Sequence, residues 1–114
     1  LAQLGANYDI MAECRMEIEM ARLLCLKAAW YMDQGDARAA APWISQIKVV
    51  APRTALKVID EAVQMFGGQG VSQDTKLAQT WTHVRTLRLA DGPDAVHRRQ
   101  IARAELKKYT QEKM

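Results

Sequence analysis

Few of the features that identify a protein at a glance are present in this chain. Its 114 residues include two cysteines, Cys14 and Cys25, in a single helical pattern. At ~1.5 Å per residue they stand about 16 Å apart along the axis, whereas a disulfide needs Cα atoms within about 7 Å. They do not pair with each other there, they lack the spacing of a metal site, and free thiols suit a reducing, intracellular compartment. No apolar run approaches the roughly 20 residues of a membrane span. There is no initiator Met and no basic-apolar-small leader, which points to residues 1–114 being one domain of a longer chain. His83 and His97 stand singly, so no metal is expected. No serine or cysteine is set beside a base as a nucleophile. Strand-like alternation, internal repeats and low-complexity tracts are also missing.

What is present is an ordinary globular composition, 49% hydrophobic and 25% charged. The net charge of +3 conceals an asymmetry, because residues 1–84 carry 8 basic and 9 acidic side chains while residues 85–114 carry 8 basic and 4 acidic. Arg85, Arg88, Arg98, Arg99 and Arg103 form the concentrated part. Such a cluster suits a solvated helix face, or contact with an anionic ligand, a nucleic acid or an acidic protein surface.

Apolar and small residues recur at Met11, Cys14, Ile18, Ala21, Cys25, Ala28 and Met32, the period of one helix face. Met20, Leu23, Leu24, Trp30 and Tyr31 add a second strip, so this helix, about 6–33, should have neighbours on two sides. Gly35 ends it. A second helix is expected over about 40–66, with Pro42 in its first turn and Ile44, Ile47, Ala51, Ala55, Val58, Ala62 and Met65 inward. Pro52 should kink it near Lys48 to Val50. A third stripe, Leu77, Trp81, Val84 and Leu87, marks about 75–89. The last helix, about 93–108, should bury Val96, Ala102, Leu106 and Tyr109. Four helices on short loops predict an all-α, up-and-down antiparallel four-helix bundle.

Two stretches could carry chemistry. "AVQMFGGQGVSQD" ends the second helix with Gly67, Gly68 and Gly70, one turn after a polar Gln64. A single glycine can stop a helix. Three suit either a loose loop or a bare backbone that lets a flat or anionic ligand come close to turn amides. A helix C-terminus carries the wrong dipole end for phosphate, so the phosphate-loop and dinucleotide-fold readings are excluded. In "RTLRLADGPDAVHR", Asp91 can cap the last helix, with Pro93 in its first turn and Asp94 favourable to the dipole. The same Asp91 is also placed to project into a cleft as a base.

Taken together, "QMFGGQGVSQD" followed by "VRTLRLADGPDAVHRRQIARAEL" resembles the C-terminal helical domain of the acyl-CoA dehydrogenases. "AECRMEIEMARLLCLKAAWYMD" and "IKVVAPRTALKVIDEAVQ" fit as well, so the resemblance spans nearly the whole chain. "RLADGPD" is closest to the branch whose eukaryotic members are fused to a phosphotransferase-like domain. The resemblance implies that Gln64, Gly67, Gly68 and Gly70 lie against the ADP part of an FAD held mainly by a neighbouring subunit. It implies that Asp91 is the base removing the α-proton of an acyl-CoA thioester, with Gly92 and Asp94 bordering the flavin. Two departures stand out: the family's commonest base is Glu, one methylene longer, and Pro93 occupies a position that is often Thr.

The expected activity is therefore α,β-dehydrogenation of an acyl-CoA by a homo-oligomeric flavoprotein, a dimer or tetramer, with electron-transferring flavoprotein as acceptor. The compartment would be the cytoplasm of a bacterium, or the mitochondrion or peroxisome of a eukaryote. This domain alone should be inactive, since the family's N-terminal helical and middle β-domains build most of the pocket. Two rival readings are a non-catalytic helical assembly module and a small basic module binding nucleic acid through residues 85–103.

Overall fold

A computed structural model describes residues 5–112, whose regular secondary structure is all helix, with no strand among the described residues. The elements are α1 (Gly5–Asp33), α2 (Ala37–Phe66), α3 (Gly68–Val71), α4 (Leu77–Thr86) and α5 (Asp94–Glu112). The four expected helices are all there. The short α3 is a single helical turn inside the stretch expected to be loop.

Asp36 explains why α2 begins before residue 40. Its carboxylate accepts from the backbone N–H groups of Arg38 and Ala39 (3.0 and 3.2 Å), filling two of the orphan donors of a helix start. Pro42 therefore sits inside the helix and not in its first turn. Both Pro42 and Pro52 lie within a helix that runs unbroken from Ala37 to Phe66. Gly35, at φ +80, makes the corner between α1 and α2. Tyr31 stacks on Trp43 there (centroids 5.5 Å apart) and the Lys27 ammonium lies 3.9 Å over the Trp43 ring.

α2 is the shared spine. It packs against each of the other helices, whereas α1 meets only α2 and α4 meets α5 at no helix–helix interface among the described residues. One face of α2 buries Ala40, Ser45, Val49, Pro52 and Leu56. Ser45 Oγ donates to Gln100 Oε1 of α5 at 2.8 Å, which fixes that face toward α5. Of the expected stripe, Ile44 is exposed, Ile47 is half-buried, and Ala51, Ala55, Val58, Ala62 and Met65 are half-buried and line the groove with α1. On α1, Ala21 and Ala28 are buried, but Met11, Ile18 and Met32 at 39%, 37% and 48% exposure are not, and the second strip is largely open.

α5 does not bury the face expected of it. Val96, Leu106 and Tyr109 are 45%, 65% and 58% exposed and Ala102 is exposed too. The covered residues are Asp94, His97, Ile101 and Ala104, spaced 3, 4 and 3. An ion pair and a histidine define this face, so hydrophobicity alone selected the wrong one.

The molecule is drawn out, 58 × 29 × 26 Å, with a radius of gyration of 17.6 Å. A compact chain of this length would have about 13 Å. Its accessible surface is 8433 Å², against about 6,300 Å² for a folded monomer of this mass. Much of the apolar surface that should be core faces outward.

Candidate functional site

The two candidate stretches sit at separate places along α2. The glycine turn follows its C-terminus. The acidic turn between α4 and α5 is tied to its middle, where Lys48 Nζ donates to the Leu87 carbonyl. Lys48 and Val63, which backs the glycine turn, are about 22 Å apart along the axis at ~1.5 Å per residue. One copy of the chain does not bring Gln64, Gly67, Gly68 and Gly70 into one pocket with Asp91, Gly92 and Asp94.

The three glycines have three different reasons. Gly67 has φ +65 and ψ −143, a conformation open to glycine and costly for other residues, and its N–H bonds the Gln64 carbonyl at 3.2 Å. Gly70 is buried, and a Cβ on it would lie 2.6 Å from the Val63 carbonyl oxygen and 2.9 Å from the Val63 Cα. It is glycine because α3 presses backbone to backbone on α2. Gly68 has neither a positive φ nor any atom within 4 Å of where its Cβ would be. Nothing among the described residues requires glycine there. The Gln64 side chain is exposed and takes no hydrogen bond among the described residues. Ser72 and Thr75 steady the loop beyond by bonding the carbonyls of Gln69 and Gly70. α4 begins at Leu77 without a side-chain cap.

The acidic turn is more tightly built. Past α4 the chain continues through Leu87, Arg88 and Leu89, whose N–H groups bond the carbonyls three residues back, the tighter winding usual at helix ends. It then reverses through two positive φ values, Asp91 at 58° and Gly92 at 107°. Asp91 occupies the left-handed region that Asp tolerates better than most residues, at a cost on the order of 1 kcal/mol. It does not cap α5: its carboxylate is exposed and takes no hydrogen bond or ion pair among the described residues. The Pro93 carbonyl accepts the first α5 bonds, from Val96 and His97.

Asp94 is buried, and its Oδ2 accepts from Arg88 Nε at 2.8 Å, with Arg98 Nη2 at 3.7 Å. Two members of the basic cluster are thus spent on one internal carboxylate. Arg85 Nη1 is also buried, without a partner among the described residues. His97 puts its ring against Gly92, with Nε2 3.1 Å from where a Cβ would stand, and both of its nitrogens are buried without partners.

The model of the acyl-CoA dehydrogenase C-terminal domain matches residues 7–106. The chain belongs to this family. It is 51% identical over 106 residues to the acyl-CoA dehydrogenase FadE2 of Mycobacterium tuberculosis, covering 93% of this chain and 26% of that protein. To acyl-CoA dehydrogenase family member 11 of Gallus gallus it is 55% identical over 96 residues, covering 84% of this chain and 12% of that one. A solved structure of a candidate acyl-CoA dehydrogenase from Mycobacterium abscessus superposes with a TM-score of 0.92 at 50% identity, over 96% of this chain and 27% of that one. This chain therefore spans about a quarter or less of these relatives. The all-helical bundle is that of the acyl-CoA dehydrogenase C-terminal domain, and no described helix is long and apolar enough to cross a membrane.

Reading the sequence missed Lys48, Arg88 and His97 as parts of this acyl-CoA dehydrogenase turn. Arg88 and Asp94 were visible as opposite charges six residues apart, but only the reversal at Asp91 and Gly92 brings them together. Lys48 lies on another helix and gave no local signal.

Proposed function

We propose that this chain is the C-terminal domain of an FAD-dependent acyl-CoA dehydrogenase and that Asp91 is the base taking the α-proton of the acyl-CoA thioester. The observation that carries the reading is the Asp91 carboxylate itself: exposed, without a partner among the described residues, and held in a left-handed turn by the chain around it. A structural acid would be capping the helix or paired with one of the nearby arginines, as Asp94 is.

The residues fit the cofactor that the family implies. Among the described residues nothing requires Gly68 to lack a side chain and the Gln64 amide makes no hydrogen bond, which suits close approach of an ADP moiety. Gly67 shapes that surface through its backbone. Gly70 acts indirectly, by seating the turn on α2. Bound FAD would supply the acceptor for the β-hydride. At the other turn Asp91 Oδ takes the proton, Gly92 gives the turn its reversal, and Asp94 borders the site through the loop it holds. The distance between the two turns supports service to different parts of a cofactor, or to cofactors of different subunits, in a dimer or tetramer. Electron-transferring flavoprotein is the acceptor this reading implies.

The test is Asp91→Asn in a full-length holoenzyme carrying this sequence. Asn tolerates the left-handed region as well as Asp does, so FAD and acyl-CoA binding should persist. An amide is no base, and anaerobic flavin bleaching by acyl-CoA should slow by about 10²–10⁴-fold. Bleaching near the wild-type rate would place the base elsewhere.

A further inference from the structure

We propose that Arg88 is a positioning residue for Asp91, acting through its ion pair with Asp94; this rests on the reading of Asp91 as the base. The pair closes the loop that carries Asp91. Arg88 lies in the tight turns that extend α4, Asp94 is the first residue of α5, and Nε to Oδ2 is 2.8 Å. α4 and α5 share no helix–helix interface among the described residues, so besides the peptide chain and the packing of His97 on Gly92 little joins the two sides of the turn. On the α4 side, Lys48 anchors the Leu87 carbonyl to α2. On the α5 side, Ser45 holds Gln100. Each flank is anchored to α2 several residues away from Asp91, and the Arg88–Asp94 pair is the side-chain link that spans the turn itself.

That link matters because Asp91 makes no side-chain bond of its own among the described residues, and the packing of His97 touches Gly92 and not Asp91. Gly92 lacks a Cβ and sits at φ 107, where glycine ranges widely. Asp91 reaches the site on a short side chain, so a shift of its Cα carries directly to its carboxylate. The pair is also sheltered, with the side chains 29% and 10% exposed. Solvent screens it less than a surface pair, and Asp94 is shared with Arg98 at the longer 3.7 Å. Arg98 is exposed and one turn into α5, so it neutralises Asp94 without spanning the turn.

The experiment compares Arg88→Met, Arg88→Lys, Asp94→Asn, the Met/Asn double variant and Asp91→Asn as full-length holoenzymes. It measures the flavin reduction rate per bound FAD at saturating acyl-CoA, together with acyl-CoA affinity and melting temperature. Arg88→Met and Asp94→Asn should each slow reduction by about 10–10²-fold, the scale of a misplaced reacting group, while acyl-CoA affinity stays within about threefold. The double variant should be no slower than the worse single one, since both remove one interaction. Arg88→Lys keeps a cation able to reach Oδ2 and should recover most of the rate. A merely structural pair would lower melting temperature or FAD content and leave the rate per bound FAD unchanged, and that result overturns the proposal. If Arg88→Met yields no holoenzyme, Arg88→Lys and Asp94→Asn carry the same comparison. Wild-type reduction in Asp91→Asn would sink the base assignment whatever Arg88 does. Loss there with an unchanged Arg88→Met rate would leave the base standing and remove the clamp.

Discussion

Gly70 faces Val63 so closely that a Cβ would lie 2.6 Å from the Val63 carbonyl oxygen. Gly68, two residues earlier, faces open space. The two positions should therefore respond oppositely to substitution. Gly70→Ala should destabilise the fold by about 1–3 kcal/mol, as overpacking does, because the obstacle is backbone and cannot rotate away. Gly68→Val should leave thermal stability nearly unchanged but strip FAD from the full-length enzyme. Melting curves and flavin absorbance on the same two preparations check this. Retention of FAD by Gly68→Val would make that glycine an accident of the loop.

Gly92 is a second glycine with a measurable requirement. Its φ of 107 strains any side chain, and a Cβ would stand 3.1 Å from His97 Nε2. Gly92→Ala should cost about 1–2 kcal/mol from the backbone alone, with a further loss where the ring must move. Adding His97→Ala should recover the second part and not the first. Urea unfolding of the four proteins separates the two.

How much was readable beforehand differs by element. The end of α1 at Asp33 was legible, because the stripe from Met11 to Met32 stops just before Gly35. The start of α2 was missed since Asp36, the cap, was overshadowed by Pro42 read as a first-turn residue. On α5, charged and polar side chains fill the packed face, so ranking by hydrophobicity picked Val96, Leu106 and Tyr109, which point outward. The glycine run and Asp91 were conspicuous as motifs. Their separate causes, a dihedral at Gly67, a backbone contact at Gly70 and openness at Gly68, exist only in three dimensions.

Those outward residues carry an expectation of their own. An accessible surface of 8433 Å², with hollows of about 380 and 350 Å³ along the apolar α1–α2 groove, exceeds what an isolated monomer keeps exposed. The chain on its own should self-associate. Sedimentation velocity over a hundredfold concentration range should show a mass that rises with concentration. A clean monomer throughout would contradict this.

The thiol of Cys14 should be sluggish. Burial pushes its pKa up, and Glu61 and Glu17 push it further, while Lys57 opposes them. Lys57 is itself raised, chiefly by its 2.6 Å hydrogen bond to Glu17. Both groups hold their protons more tightly when folded. The stability this gives is complete below their unfolded pKa values and fades as pH rises through the folded ones. For the thiol, the loss should begin above roughly pH 8.5. Iodoacetamide should label Cys14 at pH 7.5 more slowly than a free thiol, and denaturant midpoints should fall between pH 8 and 11. A midpoint flat across that window would refute the coupling.

α2 works as a ruler. Its continuous run from Ala37 to Phe66 carries the glycine turn at one end and, through Lys48 and Ser45, the anchors of the acidic turn further back. One residue inserted between Val49 and Val63 would advance one turn about 1.5 Å and rotate it roughly 100° relative to the other. Loops absorb such changes; a rigid helix passes them on whole. Length in this segment is therefore under stricter constraint than side-chain identity. The spacing between the two turns is encoded as a number of residues, and no contact between them is needed to keep it.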